Sequence, residues 1–315
     1  MKRICLFAAY NKNGIIQDYV IYYLKCLSEY AEIYYMADNE TSENELIKIK
    51  PYIKNAFCYH HGKYDFGSWQ ELINILGWNK LSEHDELILA NDSMFGPLFP
   101  FEKYFNKMEN NNEWDICGIN RNYDYRTKQW FLNSYFLVFK KKAFISDIFK
   151  KHIESIEKKE SPYDVVNAYE IPFMKKFYDN GFKVKCLIDC NDHVYMQWRK
   201  FILKGSPFLK KKIFDDDLFV KSKAYSWKKF IIKYTEYDPK LIENYFSSLK
   251  MTYRDYKYLF NKKIFKDFIA AIRKWFIKIN IKKNKQTIRI FGIYFLNHNI
   301  EHDKKYDNNE IMIME

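Results

Sequence analysis

Short apolar runs alternate with polar clusters through the first two hundred residues. "RICLFAAY" (3–10), "AEIYYMAD" (31–38), "NAFCYHH" (55–61) and "ELILANDS" (86–93) are brief, near-continuous apolar stretches that read as buried strands. Between them, "GIIQDYVIYYLKCLSEY" (14–30), "ENELIKIKPYI" (43–53) and "SWQELINILGWNKL" (68–81) carry helical spacing. In the last of these Ser68 is read as the N-cap, with Glu71 as its capping-box partner. "WDICGIN" (114–120), "SYFLVFKKKAF" (134–144) and "KVKCLID" (183–189) continue as strands, and "VVNAYEIPFMKKFYDNGF" (165–182) as a helix closed by Gly181. Strands alternating with helices predict right-handed crossovers and an α/β fold with a mainly parallel sheet.

In such a sheet ligands sit beyond the carboxyl ends of the strands. Three polar clusters follow predicted strands: "YNKNG" (10–14), "HHGKYDFGSW" (60–69) and "NDS" (91–93). They are expected to converge on one edge. The stretch "LILANDSMFGPLFP" (87–100) is the sharpest case, since an apolar run stops at Asn91-Asp92-Ser93 and a Gly-Pro turn follows. On local grounds that triplet is either a functional group at a strand end or only a turn.

Composition fits a folded globular chain of 315 residues: 48% hydrophobic, 27 Tyr, 27 Phe, and only 9 Gly and 7 Pro. The six cysteines form no Cys-x-x-Cys pair and read as inert thiols in a reducing cytoplasm. The N-terminal apolar run is too short for a signal peptide, and no stretch approaches the roughly 18 apolar residues of a membrane span.

Charge changes the picture. Residues 201–315 hold 25 Lys and Arg against 13 Asp and Glu, which is the whole net charge of +12. The chain therefore divides into an α/β domain at 1–215 and a basic, mostly helical region at 216–315. Within the latter, residues 262–285 show apolar positions at three-to-four spacing with Lys and Arg between them. Two readings stand: a basic amphipathic helix on an anionic membrane surface, or a helix packed on the domain with solvated charges. Nucleic-acid binding is disfavoured, because no DNA-binding motif is present and the first two-thirds is neutral.

"YDFGSW", "LILANDSMFGPL", "SYFLVFKKKAF", "YEIPFMKKFYDNGF" and "GSPFLKKKIF", taken in order over residues 1–215, resemble the rhamnan synthesis protein F family of bacterial polysaccharide glycosyltransferases. The resemblance implies a GT-A-type nucleotide-binding domain that moves a sugar, rhamnose or a related deoxysugar, with inversion. The donor would be a nucleotide sugar such as dTDP-L-rhamnose. The acceptor would be a lipid-linked glycan, at the inner face of the bacterial plasma membrane. Enzymes of this type hold a divalent cation, Mn²⁺ or Mg²⁺, with an Asp-rich motif at a strand end; here Asn91-Asp92-Ser93 stands there with one carboxylate, so either Asp92 is a metal ligand, directly or through water, with His193 a late second one, or cationic side chains take the ion's place. His60, Gly62, Asp65 and Gly67 are expected around the donor, together with Asn11, Asn13, Asn91 and Ser93. Glu170 is the expected base for the acceptor hydroxyl, with Asp164 its competitor. Trp130 and Tyr135 are weaker candidates for stacking, and Lys210–Lys212 either meet diphosphate or membrane or are solvated. The missing second carboxylate also admits a non-catalytic, membrane-associated scaffold of a polysaccharide assembly complex.

Overall fold

The computed structural model describes residues 1–111, 113–189, 194–214 and 224–248 with their side chains, and the backbone of strands 277–282, 285–290 and 293–299. The chain divides into two compact units, Met1–Tyr253 and Arg254–Glu315.

The first unit runs β1 (Arg3–Ala9), α1 (Asp18–Ser28), β2 (Glu32–Ala37), α2 (Glu43–Ile47), β3 (Asn55–Cys58), α3 (Tyr64–Ser82), β4 (Glu86–Asn91) and β5 (Met94–Phe95). It continues with α4 (Glu102–Asn110), β6 (Ile116–Asp124), β7 (Gln129–Leu132), β8 (Phe136–Lys140), α5 (Lys141–Phe144), α6 (Asp147–Glu154), α7 (Pro162–Val165), α8 (Ile171–Tyr178), β9 (Val184–Ile188), α9 (Trp198–Leu203) and β10 (Leu209–Lys210). Helices Trp227–Tyr234 and Lys240–Ser248 complete it.

The main sheet is ordered β3-β2-β1-β4-β8-β6, with β7 and β9 both on β6. β1, β2, β3 and β4 are parallel neighbours, and β9 lies parallel to β6. β8 is inserted antiparallel between β4 and β6. This is the mainly parallel α/β arrangement that the alternation predicts. All seven residues of β1 are buried, as a strand covered on both faces requires.

α3 explains how one half of the site is held. Phe66, Trp69, Leu72 and Ile73 recur at helical spacing and enter the core beside Ile4, Leu6, Leu87 and Leu89. The Trp69 indole N–H also donates to the carbonyl of Ala90 at 3.1 Å, fixing the last turn of chain before the site. α3 begins at Tyr64, not at Ser68. Ser68 is buried inside it, where its hydroxyl meets Nε2 of His61 at 3.0 Å and the carbonyl of Tyr64. The capping-box reading of Ser68 fails because the loop 60–63, not a side-chain cap, sets the entry of this helix.

Three further expectations change. Strand 114–120 extends to Asp124 and turns back as the β6–β7 hairpin. Its turn is built by Asp124, whose carboxylate accepts from Thr127 Oγ1 at 2.8 Å and from the Arg126 amide at 3.3 Å. The first unit also runs past 215 to Tyr253. Trp227, Ile231, Ile242 and Phe246 are buried, and Tyr245 packs edge-on against Tyr19 and Phe95. Finally, the helix expected over 262–285 lies outside the described residues up to 276, and Ile277–Lys282 is a strand. Its sequence "IKINIK" alternates with period two, which a strand matches and a helix does not. In the second unit it pairs with Lys285–Ile290, which pairs with Ile293–Asn299 as an antiparallel meander.

Candidate active site

A cleft of about 650 Å³ opens at the carboxyl ends of β1, β2 and β4. Its floor is Ala8, Ala9 and the end of β4; its walls are the loop 60–65, the segment 158–170 and the residues of β10.

At the end of β4 the three polar side chains divide their work. The Asn91 amide donates to Asp65 Oδ2 at 2.8 Å, and its oxygen accepts from the Ser93 hydroxyl at 2.6 Å. Asn91 is thus a buried bracket between β4 and α3. Asp92 turns into the cleft. Its carboxylate lies 3.6 Å from Lys211 Nζ and accepts weakly from the Tyr10 amide at 3.4 Å. Lys211 Nζ also donates to the Tyr19 hydroxyl at 2.6 Å, which in turn donates to the Asp92 carbonyl at 3.0 Å.

Asp65 sits in the first turn of α3. Burial raises its pKa to about 6, and the nearby Glu170 carboxylate pushes the same way; the Phe66 amide, Asn91 and the Lys210 charge pull against them. Glu170 ends the π turn Val166–Glu170 ahead of α8, and its Oε1 accepts from the Ser134 amide at 2.7 Å. Ser134 follows β7, so this bond ties the helix to the sheet's far half. Lys210 faces Asp65 and Glu170 across the cleft. Burial lowers its pKa, and the two carboxylates oppose that. Its ammonium stands 4.9 Å over the Tyr135 ring.

Asp38, just after β2, was not singled out in the sequence, although "YYMAD" repeats the strand-then-Asp pattern of 87–92. Its Oδ1 accepts from the amides of His61 at 2.7 Å and Gly62 at 2.9 Å, and lies 3.0 Å from His60 Nδ1. It therefore shapes the loop that carries Gly62. Gly62 has φ +69°, and a Cβ there would stand 3.1 Å from Lys158 Cε. Lys158 and Lys159, which line the opposite wall, carried no sequence signal.

Of the expected residues, His60, Gly62, Asp65, Asn91, Asp92, Ser93 and Glu170 share this cleft. Asn11 and Asn13 do not line it. Asn11 Oδ1 accepts from the Asn13 amide at 3.0 Å, which shapes the turn after β1. Gly67 is buried in α3, where a Cβ would meet Lys63 Cβ at 2.1 Å; its small size serves packing. Asp164 is spent on the cap of α7, accepting from Ser161 Oγ at 2.6 Å. Tyr135 is core, and Trp130 lies under Arg121 at 4.2 Å, lining a separate groove. His193 lies outside the described residues.

Among the described residues, no three His, Cys, Asp or Glu side chains come together as a metal-binding group. At the end of β4, Asp92 is a single carboxylate with the Lys211 ammonium 3.6 Å away, a poorer cation ligand than a paired strand-end motif. No helix of the described residues is long and apolar enough to cross a membrane.

Residues 33–290 match the family described as rhamnan synthesis protein F. No curated protein matches the chain. Among solved structures it is similar to 4-diphosphocytidyl-2C-methyl-D-erythritol synthase from Anaerococcus prevotii, at 13% identity over 71% of this chain and 96% of that one, TM-score 0.41. It is also similar to S. aureus TarS in complex with UDP, at 11% identity over 96% and 100% of the two chains, TM-score 0.36. Core-mannan synthase A from Aspergillus fumigatus, in its Mn/GDP form, matches at 9% identity over 58% and 72%, TM-score 0.33.

Proposed function

This chain belongs to the rhamnan synthesis protein F family, and we propose that it is a glycosyltransferase moving a sugar, rhamnose or a related deoxysugar, from a nucleotide diphosphate to a growing lipid-linked glycan. The observation that carries this reading is the meeting of Asp65, Asp92 and Glu170 in one cleft at the carboxyl edge of the sheet.

The residues divide into donor and acceptor roles. Asp65, anchored by Asn91, faces the donor's nucleoside or sugar hydroxyls as an acceptor of hydrogen bonds. The small side chains of Ala8 and Ala9 leave room for the nucleotide over the end of β1. Glu170 is held by the Ser134 amide at one oxygen, which leaves the other to take the acceptor hydroxyl's proton as that oxygen attacks the anomeric carbon. Attack from the face opposite the leaving diphosphate inverts the centre. The rhamnan of the family's description supports rhamnose as the sugar, and dTDP is the nucleotide proposed to carry it.

Incubation with a panel of nucleotide sugars and a glycan acceptor preparation from the producing cell, with release of nucleoside diphosphate as the readout, tests the assignment. Release from one donor that Asp92→Ala abolishes supports an enzyme. Intact function of Asp92→Ala in polysaccharide assembly, with no release from any donor, favours a scaffold instead.

A further inference from the structure

The lysines in the cleft, and Lys211 behind Asp92, fall into two sets. Lys211 is engaged by Asp92 and Tyr19, and Lys159 lies 3.7 Å from Glu157 Oε2. Lys158, Lys210 and Lys212 also line the cleft, and among the described residues no carboxylate stands within ion-pair distance of any of them. Lys210 is the most telling. It is drawn inside by the pairing of β10 with β5, where Lys210 is opposite Met94. There its charge is desolvated, with the rings of Tyr135 at 4.9 Å and Tyr195 at 6.0 Å. Asp65 and Glu170 face it across the cleft without bonding it, which leaves its donors open to an anionic ligand. Lys158 reaches the same space because Gly62 has no side chain to block it.

Resting on the sugar-transfer reading above, we propose that Lys210, with Lys212 and Lys158, binds the donor's diphosphate directly, in the place that a divalent ion fills in enzymes with paired strand-end carboxylates. Asp92 then serves as the positioning partner of Lys211 and not as a metal ligand. The chemistry is complementary. A diphosphate brings two or more negative charges and several acceptor oxygens, and ammonium groups are point donors that can follow the charge as it builds on the leaving group. A metal-free cradle also explains why the strand ends in Asn-Asp-Ser: Asn91 is needed to hold Asp65, and a second carboxylate there would face Asp65 at hydrogen-bonding distance.

Calorimetric titration of the full chain with UDP, GDP and dTDP, and with the matching free nucleosides, decides it. The tightest diphosphate should bind equally, within about twofold, in EDTA and in Mg²⁺ or Mn²⁺. Lys210→Met, which keeps the stem for packing, should weaken it tenfold or more while leaving the free nucleoside unaffected, and Lys210→Arg should restore most of the loss. Diphosphate binding that appears only with metal, or that Lys210→Met leaves unchanged, overturns the proposal. Failure of every nucleoside and diphosphate to bind would instead sink the sugar-transfer reading, and this inference with it.

Discussion

The side-chain amide of Asn91 donates to Asp65 Oδ2 at 2.8 Å, joining the last residue of β4 to the first turn of α3. Two segments 26 residues apart are thereby locked at the floor of one cleft. Asp65 is the carboxylate this bond positions, and its surroundings set its titration.

The pKa of Asp65 is raised from 3.8 to about 6. Between those values the folded protein keeps a proton that the unfolded chain has released, so stability falls as pH rises through that window and levels off above it. Asp65→Asn removes the cost. After discounting for partial exposure, it should be more stable than the wild type by about 1–2 kcal/mol above pH 6, with the difference vanishing near pH 4. Urea midpoints from pH 4 to 8 check this. An Asn variant less stable at pH 8 would contradict the buried-carboxylate account.

Donor affinity should share this dependence with the opposite benefit. If ionised Asp65 accepts from the donor's hydroxyls, binding weakens below pH 6, approaching tenfold per unit. In Asp65→Asn that pH slope disappears, at a lower affinity throughout. Titrations of one nucleotide sugar between pH 5 and 8 give the answer.

Glu170→Gln keeps the acceptor for the Ser134 amide and loses the base. Transfer should fall by about 10²–10⁴-fold, with the donor dissociation constant unchanged. Equal loss of binding and turnover would assign Glu170 to the donor and not to the proton.

Gly62 takes φ +69° with its Cα facing Lys158. Gly62→Ala should cost about 1–2 kcal/mol from the left-handed backbone alone. It should also displace Lys158 and lower nucleoside-diphosphate affinity several-fold. Thermal melts and titrations separate the two effects; a variant as stable as the wild type would place the strain elsewhere.

Much of this fold is legible in the sequence because buried parallel strands are written as local apolar runs. β1, β2, β3 and β4, the turn at Gly181 and the polar residues at strand ends follow from short-range pattern. The order of β8 between β4 and β6, and its antiparallel sense, do not, since pairing partners are set by tertiary contacts. The site divides in the same way. Asp65, Asp92 and Glu170 stand at element ends where the pattern points. Lys158 carries no sequence signal, and for Lys210, whose run reads equally as meeting diphosphate or membrane or as solvated, only the packed structure gives its place in the cleft. "IKINIK" shows the opposite failure: its strand alternation is plain in isolation but is hidden when a longer basic segment is read as one helix.

The most direct test of the account is nucleotide release from the panel of nucleotide sugars by the wild type and by Glu170→Gln, each offered a glycan acceptor preparation from the producing cell. The account predicts release from one donor, dependent on acceptor, and lost with Glu170→Gln. Release unaffected by Glu170→Gln would contradict the assignment of this cleft as the place of transfer.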